Sequence, residues 1–311
     1  MKIVQIGTGG WGKNHCRVLS ELGVLSAVCD KDLHLAEEFG KKYSVNFYNS
    51  LETLLEKEEF DAAFICTPTI THADIATKLI ESKKHVFVEK PLTYLSDDGK
   101  KLVDMANKNN VVLTCGYIER FNPAVSTVKD FLTSKKYGDL IRLEFYREHR
   151  MPQHIKDVGI IYDTAVHDID TAMWLFGKTP EVVFAIAGKI NHEHEDFATI
   201  MLGFKDNKTA TISSNWITPT RVRNFNAVCT DGRIFSDFIT QEIRIETDHG
   251  TENPKNEKTE PLLLEIKNFL GAIETKNDIK VKAEQAVNVT KIAEAALLSS
   301  QKGIPIYLDI K

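Results

Sequence analysis

The sequence predicts an α/β chain in two parts. The first is an N-terminal parallel sheet covered by helices on both faces. The second is a C-terminal α+β domain with an open, mostly antiparallel sheet. Three observations predict this. Short, continuously apolar runs alternate with amphipathic segments through the first third, the pattern of strands buried on both faces. Beyond Phe121-Asn122-Pro123 the runs lengthen and several alternate with period two, the pattern of a half-covered antiparallel sheet. The chain has 311 residues, long for one core and comfortable for two domains. A residue before proline disfavours helix, so the joint is placed there, giving domains 1–121 and 122–311.

The elements follow in order. Strands are expected at Lys2–Ile6, Leu25–Cys29, Phe47–Tyr48, Ala62–Cys66, His85–Val88 and Val111–Cys115. Between them, helices are expected at Gly12–Leu22, Leu33–Lys41, Leu51–Lys57, His72–Ser82 and Asp97–Asn109. In the second part the strands are Ile141–Arg147, Val182–Lys189, Phe197–Phe204, Thr209–Trp216, Asn224–Thr230, Ile234–Asp237 and Ile243–Glu246. Short turns such as Lys205-Asp206-Asn207 and Asp231-Gly232 join several of them. Helices are expected at Thr164–Leu175, Leu262–Ile273 and Glu284–Ser300, and the polar, proline-bearing stretch His249–Glu260 reads as an exposed loop.

Composition narrows the function. The net charge of -5, from 39 basic and 44 acidic residues, argues against a nucleic-acid or anionic-membrane surface. No apolar run is long enough to cross a bilayer, and the opening residues read as a strand, not a signal peptide. The five cysteines are odd in number and form no C-x-x-C pair, as suits a reducing compartment. The expected location is the cytoplasm.

Gly7-Thr8-Gly9-Gly10-Trp11-Gly12 is a G-x-G-x-x-G that follows a strand and opens a helix. Gly7 permits the tight turn, Gly9 lets backbone approach a pyrophosphate, and Gly12 lets the helix pack close to the strand. The anion would sit at the helix N-terminus, with Gly10 and Trp11 completing the loop. Asp30 ends the second strand, where an acid binds the adenosine ribose hydroxyls of a dinucleotide. A carboxylate there repels a 2′-phosphate, so NAD is expected over NADP, although the neighbouring Lys31 tempers that preference.

With these residues the chain resembles the Gfo/Idh/MocA oxidoreductases. The resemblance is carried by Gly7–Gly12, by Cys66-Thr67-Pro68-Thr69 with His72, by Glu89-Lys90-Pro91 and by Asp163-x-x-x-His167. It implies a Rossmann domain followed by an open-sheet domain, with substrate between them, and hydride transfer between a nicotinamide and a sugar or polyol carbon. It places Thr67, Pro68 and His72 on the cofactor cleft, Glu89 near the nicotinamide ribose and Lys90 at the reacting hydroxyl. A cis Lys90-Pro91 bond is common in the family. Many members carry Gly-Gly before the aspartate, whereas Asp157-Val158-Gly159-Ile160-Ile161 offers one glycine. A narrower resemblance is to members acting on nucleotide sugars. It rests on Gly10–His15, Ile155–Gly159 and Asn215-Trp216-Ile217-Thr218-Pro219, and makes C3 of UDP-N-acetylglucosamine the expected reacting carbon. The alternatives are a free-sugar or inositol dehydrogenase, an NAD-dependent glycoside hydrolase, and a non-catalytic NAD-binding regulator. The family is commonly oligomeric through the second sheet, so a homo-dimer or tetramer is expected.

Chemistry read from the residues agrees. The Lys90 ammonium, just past a parallel strand, can stabilise a developing oxyanion. Asp163 and His167, four apart on an expected helix, share one face; the carboxylate orients the imidazole and raises its basicity, making His167 the general base. Arg147, on a strand, and Arg221, on the loop after Trp216, are the candidates for gripping a substrate diphosphate. No metal is expected. His192-Glu193-His194-Glu195-Asp196 reads as an acidic solvated turn, and Asp168 points away from His167 on a helix.

Overall fold

The computed structural model describes residues 1–152, 155–275 and 278–308. The chain begins with β1 (Ile3–Ile6), α1 (Gly12–Glu21), β2 (Leu25–Cys29), α2 (Leu33–Tyr43), β3 (Asn46–Tyr48), α3 (Leu51–Lys57), β4 (Ala62–Ile65), α4 (His72–Glu81), β5 (His85–Glu89), α5 (Ser96–Asn109) and β6 (Leu113–Gly116). The six strands form one parallel sheet in the order β3-β2-β1-β4-β5-β6. The strand order reverses between β1 and β4, the switch point beside which open sheets bind ligands.

There follow α6 (Pro123–Thr133), β7 (Leu140–Glu148), a π-helical turn at Ile161–Ala165, α7 (Val166–Phe176), β8 (Val182–Gly188), β9 (Phe197–Phe204), β10 (Lys208–Asn215), β11 (Val222–Cys229), β12 (Gly232–Asp237), β13 (Ile243–Thr247) and β14 (Gly250–Glu252). The chain closes with α8 (Pro261–Thr275), α9 (Ala283–Lys302) and β15 (Ile306–Tyr307). The second sheet runs β14-β13-β12-β11-β7-β10-β9-β8-β15, antiparallel except for the β7/β10 pair. Lys205-Asp206-Asn207 forms its expected turn, with Asp206 and Asn207 at positive φ.

Four expectations change. Pro123 does not end structure; it stands at the first position of α6, whose N-cap Asn122 accepts from Ala124 N–H. Part of the stretch read as a loop, Gly250–Glu252, pairs with β13 as an edge strand. The helix expected at Thr164–Leu175 is entered through the π turn. Finally, contacts divide the chain into Met1–Gly116 with Leu262–Val287, and Tyr117–Pro261 with Asn288–Lys311, in place of a single cut at 121/122. The physical reason is Phe269 of α8. It is fully buried, with its ring edge-on to Phe64 of β4 and Phe87 of β5 at 5.3 and 5.7 Å. Val281 reinforces this, its carbonyl accepting from the Thr114 hydroxyl of β6.

Truncating that ring leaves a cavity that the surrounding strands cannot close. Phe269→Ala is expected to destabilise the N-terminal unit by about 3–5 kcal/mol, read from urea unfolding, whereas an effect under about 1 kcal/mol would show that α8 does not complete this core.

Candidate active site

In the N-terminal unit the loops after β1, β4 and β5 leave the same carboxyl edge of the sheet. Gly7 has φ +82°, and a Cβ there would lie 2.4 Å from the Cys66 carbonyl oxygen; one on Gly12 would lie 2.0 Å from that of Gly7. Both positions therefore require glycine. Gly9 differs, because a Cβ there would meet only Leu35 Cδ1, at 3.9 Å. The room above Gly9 is room for something other than this chain. Gly10 and Trp11 are exposed, and Trp11 caps α1 without any side-chain hydrogen bond or acidic residue in the first turn. The amide groups and positive end of α1 are thus left for an anion.

Asp30 stands at the end of β2, half-buried. Its Oδ2 accepts from Thr8 N–H at 2.8 Å and from the Thr8 hydroxyl at 3.1 Å, and its Oδ1 accepts from Asp32 N–H at 3.0 Å. A carboxylate has about four acceptor positions, so capacity remains for a ribose hydroxyl. The carboxylate also fixes the glycine loop, a role the spacing alone does not reveal. These features fit a dinucleotide: pyrophosphate at Gly9 and the α1 N-terminus, ribose at Asp30.

Thr67 and Pro68 lie at the accessible end of β4. His72 does not; it is 1% exposed, its Nδ1 2.8 Å from the Pro91 carbonyl and its Nε2 2.9 Å from that of Thr67. One ring therefore braces the loops after β4 and β5 from beneath, which corrects its expected place on the cleft surface. Glu89 is also buried. Its Oε1 pairs with His15 Nε2 at 2.8 Å, and its Oε2 accepts from Lys90 N–H at 3.0 Å. It acts on the backbone that carries Lys90, and Lys90 itself is half-buried at the strand end with a cis bond to Pro91. His15, Cys66 and Glu89 offer donor atoms within 4.8 Å of one another. The 2.8 Å His15–Glu89 contact is nevertheless shorter than the separation of about 3.3 Å that two ligands of one tetrahedral zinc require.

In the second unit, every residue from Val158 to Met173 is buried except Asp163 and His167. Sequence reading put this pair on one helical face; the structure does so with Asp163 in the π turn and His167 in the first turn of α7. The Asp163 carboxylate accepts from the Thr164 hydroxyl at 3.0 Å, and the Trp216 indole N–H donates to that hydroxyl at 3.3 Å. The Tyr117 ring stands edge-on to His167 at 6.5 Å.

Two supporting residues lie in the segment read as a solvated turn. Glu195 takes the Ile161 N–H at 3.2 Å, and its carboxylate occupies the space where a Cβ on residue 159 would go, which explains the single Gly159. Asp196 is buried. Although burial works to raise its carboxyl, the backbone N–H groups of Asn191, Ile190 and His192 hold it below its ordinary value. The turn thus clasps the π turn that presents Asp163. Its sequence signal was an acidic pair flanking the start of a strand, which also fits a surface turn.

Arg147 is not available to a ligand. It is 1% exposed; its Nε and Nη2 donate to Asp168 at 2.9–3.1 Å, and its Nη1 donates to Glu119 at 3.1 Å. Burial disfavours its charge, but Asp168 and Glu119 more than offset this and hold it above its ordinary value. Arg221 is exposed at the start of β11, as expected of a candidate substrate residue.

Comparison with known proteins agrees with this geometry. A model of the Gfo/Idh/MocA oxidoreductase family, NAD-binding Rossmann fold, matches residues 1–117, and the model of the family's C-terminal domain matches residues 125–235. The chain belongs to the Gfo/Idh/MocA oxidoreductase family. It is an oxidoreductase whose N-terminal unit binds NAD. It is similar to UDP-N-acetylglucosamine 3-dehydrogenase from Acidithiobacillus ferrooxidans, 26% identical over 283 residues that cover 88% of each chain. A solved structure of that enzyme superimposes with a TM-score of 0.89 over 97% of this chain and 98% of that one, at 25% identity. Myo-inositol 2-dehydrogenase from Thermotoga maritima is 27% identical, covering 80% of this chain and 78% of that one. A protein of gentamicin A biosynthesis, solved in complex with NAD, shares the fold with a TM-score of 0.91 at 18% identity. Among the described residues no helix is long and apolar enough to cross a membrane.

The glycine geometry separates folding from binding. Gly9→Ala is expected to keep the wild-type Tm while weakening NAD binding at least about tenfold, and Gly12→Ala to lower the Tm by several degrees, as calorimetry and NAD titration would show. Wild-type NAD affinity in Gly9→Ala would contradict the placement of the pyrophosphate.

Proposed function

We propose that this protein oxidises a secondary hydroxyl of a sugar with NAD, and specifically C3 of the amino sugar in UDP-N-acetylglucosamine. The observation that carries the reading is the Asp163/His167 pair, the only residues of a buried run left partly exposed, with Asp163 held by the Thr164 hydroxyl and His167 set against the Tyr117 ring. An active-site base needs this combination of access and fixed orientation. Lys90 supplies the complementary group: its ammonium donates to the reacting oxygen and stabilises the charge that develops as the proton leaves. His167 accepts that proton, and Asp163 holds the ring and stabilises its charged form. Bound NAD supplies the hydride acceptor. Asp30 favours NAD over NADP, because a 2′-phosphate would lie against its carboxylate. The nucleotide-sugar substrate is supported by the similarity to the Acidithiobacillus ferrooxidans enzyme. A second reading, oxidation of a free inositol, is supported by the Thermotoga maritima relative of comparable identity.

We further read the uncovered face of the second sheet as the contact between copies of this chain. Ile186, Met201 and Tyr146 stand on it at 61%, 50% and 42% exposure, opposite the face that carries Arg147. Apolar side chains grouped on a sheet in this way are a common oligomer contact.

Two experiments test these readings. With UDP-N-acetylglucosamine in a panel of UDP-sugars, free sugars and inositols, NADH formation is expected from the nucleotide sugar. Lys90→Ala and His167→Ala are each expected to lower turnover by about 10²-fold or more with NAD affinity little changed. Turnover within about tenfold of wild type in either variant would remove that residue from the chemistry, and oxidation of inositol that UDP does not inhibit would favour the second reading. Met201→Glu is expected to shift the light-scattering mass from an oligomer toward 35.1 kDa, the mass of one chain. An unchanged oligomer would place the contact elsewhere.

A further inference from the structure

Arg223 is a cation without a counter-ion, set beside one that has two. It stands near the start of β11 directly opposite Arg147 of β7, so both side chains leave the same face of the sheet. Arg147 is neutralised by Asp168 and Glu119. Among the described residues Arg223 makes no side-chain hydrogen bond or ion pair, and its Nε is buried without a partner. Burial first, then Arg147 and Arg221, push its guanidinium down to about 10 against the weaker opposing pull of Glu119 and Asp168, which leaves it charged at neutral pH.

The ladder extends this site. Val222 pairs with Glu148, so the next residues along, Arg221 and His149, face each other, and strand alternation puts both on the face of Arg223. Burial, together with Arg223 and Arg221, disfavours the charged form of His149, whereas Asp163 favours it. His149 therefore lies within electrostatic reach both of the two arginines and of Asp163, the carboxylate of the candidate base pair.

Arg223 is half-buried, and its Nε is shut off from water with no acceptor among the described residues, so its planar fork gains most when acceptors arrive with a ligand. Phosphate oxygens match that fork, and a neutral sugar hydroxyl does not. The geometry points to an oxyanion subsite in the second unit, in which Arg223, with Arg221 at its rim, holds the diphosphate of the substrate. This rests on the nucleotide-sugar reading and assigns to Arg223 the role expected of Arg147 from its residue type and strand position.

The test is calorimetric titration of the whole protein, with NAD present, by UDP, uridine and glucuronate. UDP is expected to bind and uridine to bind at least about tenfold more weakly. Arg223→Gln is expected to weaken UDP at least about tenfold without changing NAD affinity, and Arg221→Gln to weaken it severalfold. Uridine binding as tightly as UDP, or unchanged UDP affinity in both variants, overturns the subsite. If Arg223→Gln does not fold, the UDP–uridine comparison and Arg221→Gln decide. Binding of glucuronate but not UDP, weakened in the variants, would keep the oxyanion subsite and remove the nucleotide-sugar reading. Binding of neither anion by a protein that oxidises a neutral sugar would remove the subsite and leave the sugar-dehydrogenase reading intact.

Discussion

A guanidinium taken out of water must be met by carboxylates, and the second unit is organised around one that is. Arg147 leaves β7 and divides its donors between Asp168 of α7 and Glu119 of the turn at Ile118–Phe121, with its Cζ 4.8 Å from the centre of the Phe238 ring. Asp168 directly follows His167, and Glu119 lies two residues beyond Tyr117, whose ring faces His167. One side chain thus ties the sheet to both segments that hold the candidate base. A second buried pair, Arg120 with Asp170 at 2.6 and 2.9 Å, grips α7 two residues further along. Residues two apart on a helix point in nearly opposite directions, so the helix is held from two sides. Removing one partner of such a pair costs about 3–5 kcal/mol, because the other charge is then buried alone.

The same contrast shows why Arg147 and Arg223 could not be told apart in the sequence. In the sequence Arg147 falls on an expected strand and Arg223 just before another, and only the register sets them opposite each other. What separates them is that Glu119 and Asp168 hydrogen-bond one and act on the other only from a distance, which depends on how a turn and a helix pack on the sheet. No local pattern records that.

Where local physics decides, the sequence was readable. The parallel strands announce themselves because burial on both faces leaves them predominantly apolar. The glycine loop is readable because Gly7 and Gly12 each answer a backbone demand that no other residue meets. The Asp163/His167 spacing survives the change from α to π geometry because four residues still bring the chain back to nearly the same side. Helix α6 is not legible in the sequence because Pro123 reads as a breaker, although the same ring preset for helix is favourable at a first position behind an asparagine cap. The allegiance of α8 is illegible for a different reason: an apolar helix face does not name its partner, and the Phe64–Phe87–Phe269 contact is long-range.

The N-terminal unit invests in buried polar groups of a particular kind. Asp30 holds the glycine loop through Thr8, His72 braces the loops after β4 and β5, and the His15–Glu89 pair fixes the backbone of Lys90. None is an efficient way to stabilise a fold, since a polar group withdrawn wholly or partly from water gains little net free energy even when it is paired. Each instead sets the position of a loop at the carboxyl edge of the sheet. Loops fixed during folding need not be ordered when a ligand arrives, so less of the binding free energy is lost to immobilising them. The cost of these groups is therefore carried by the core, and their effect appears where a dinucleotide and a reacting hydroxyl must be held to within a fraction of an ångström.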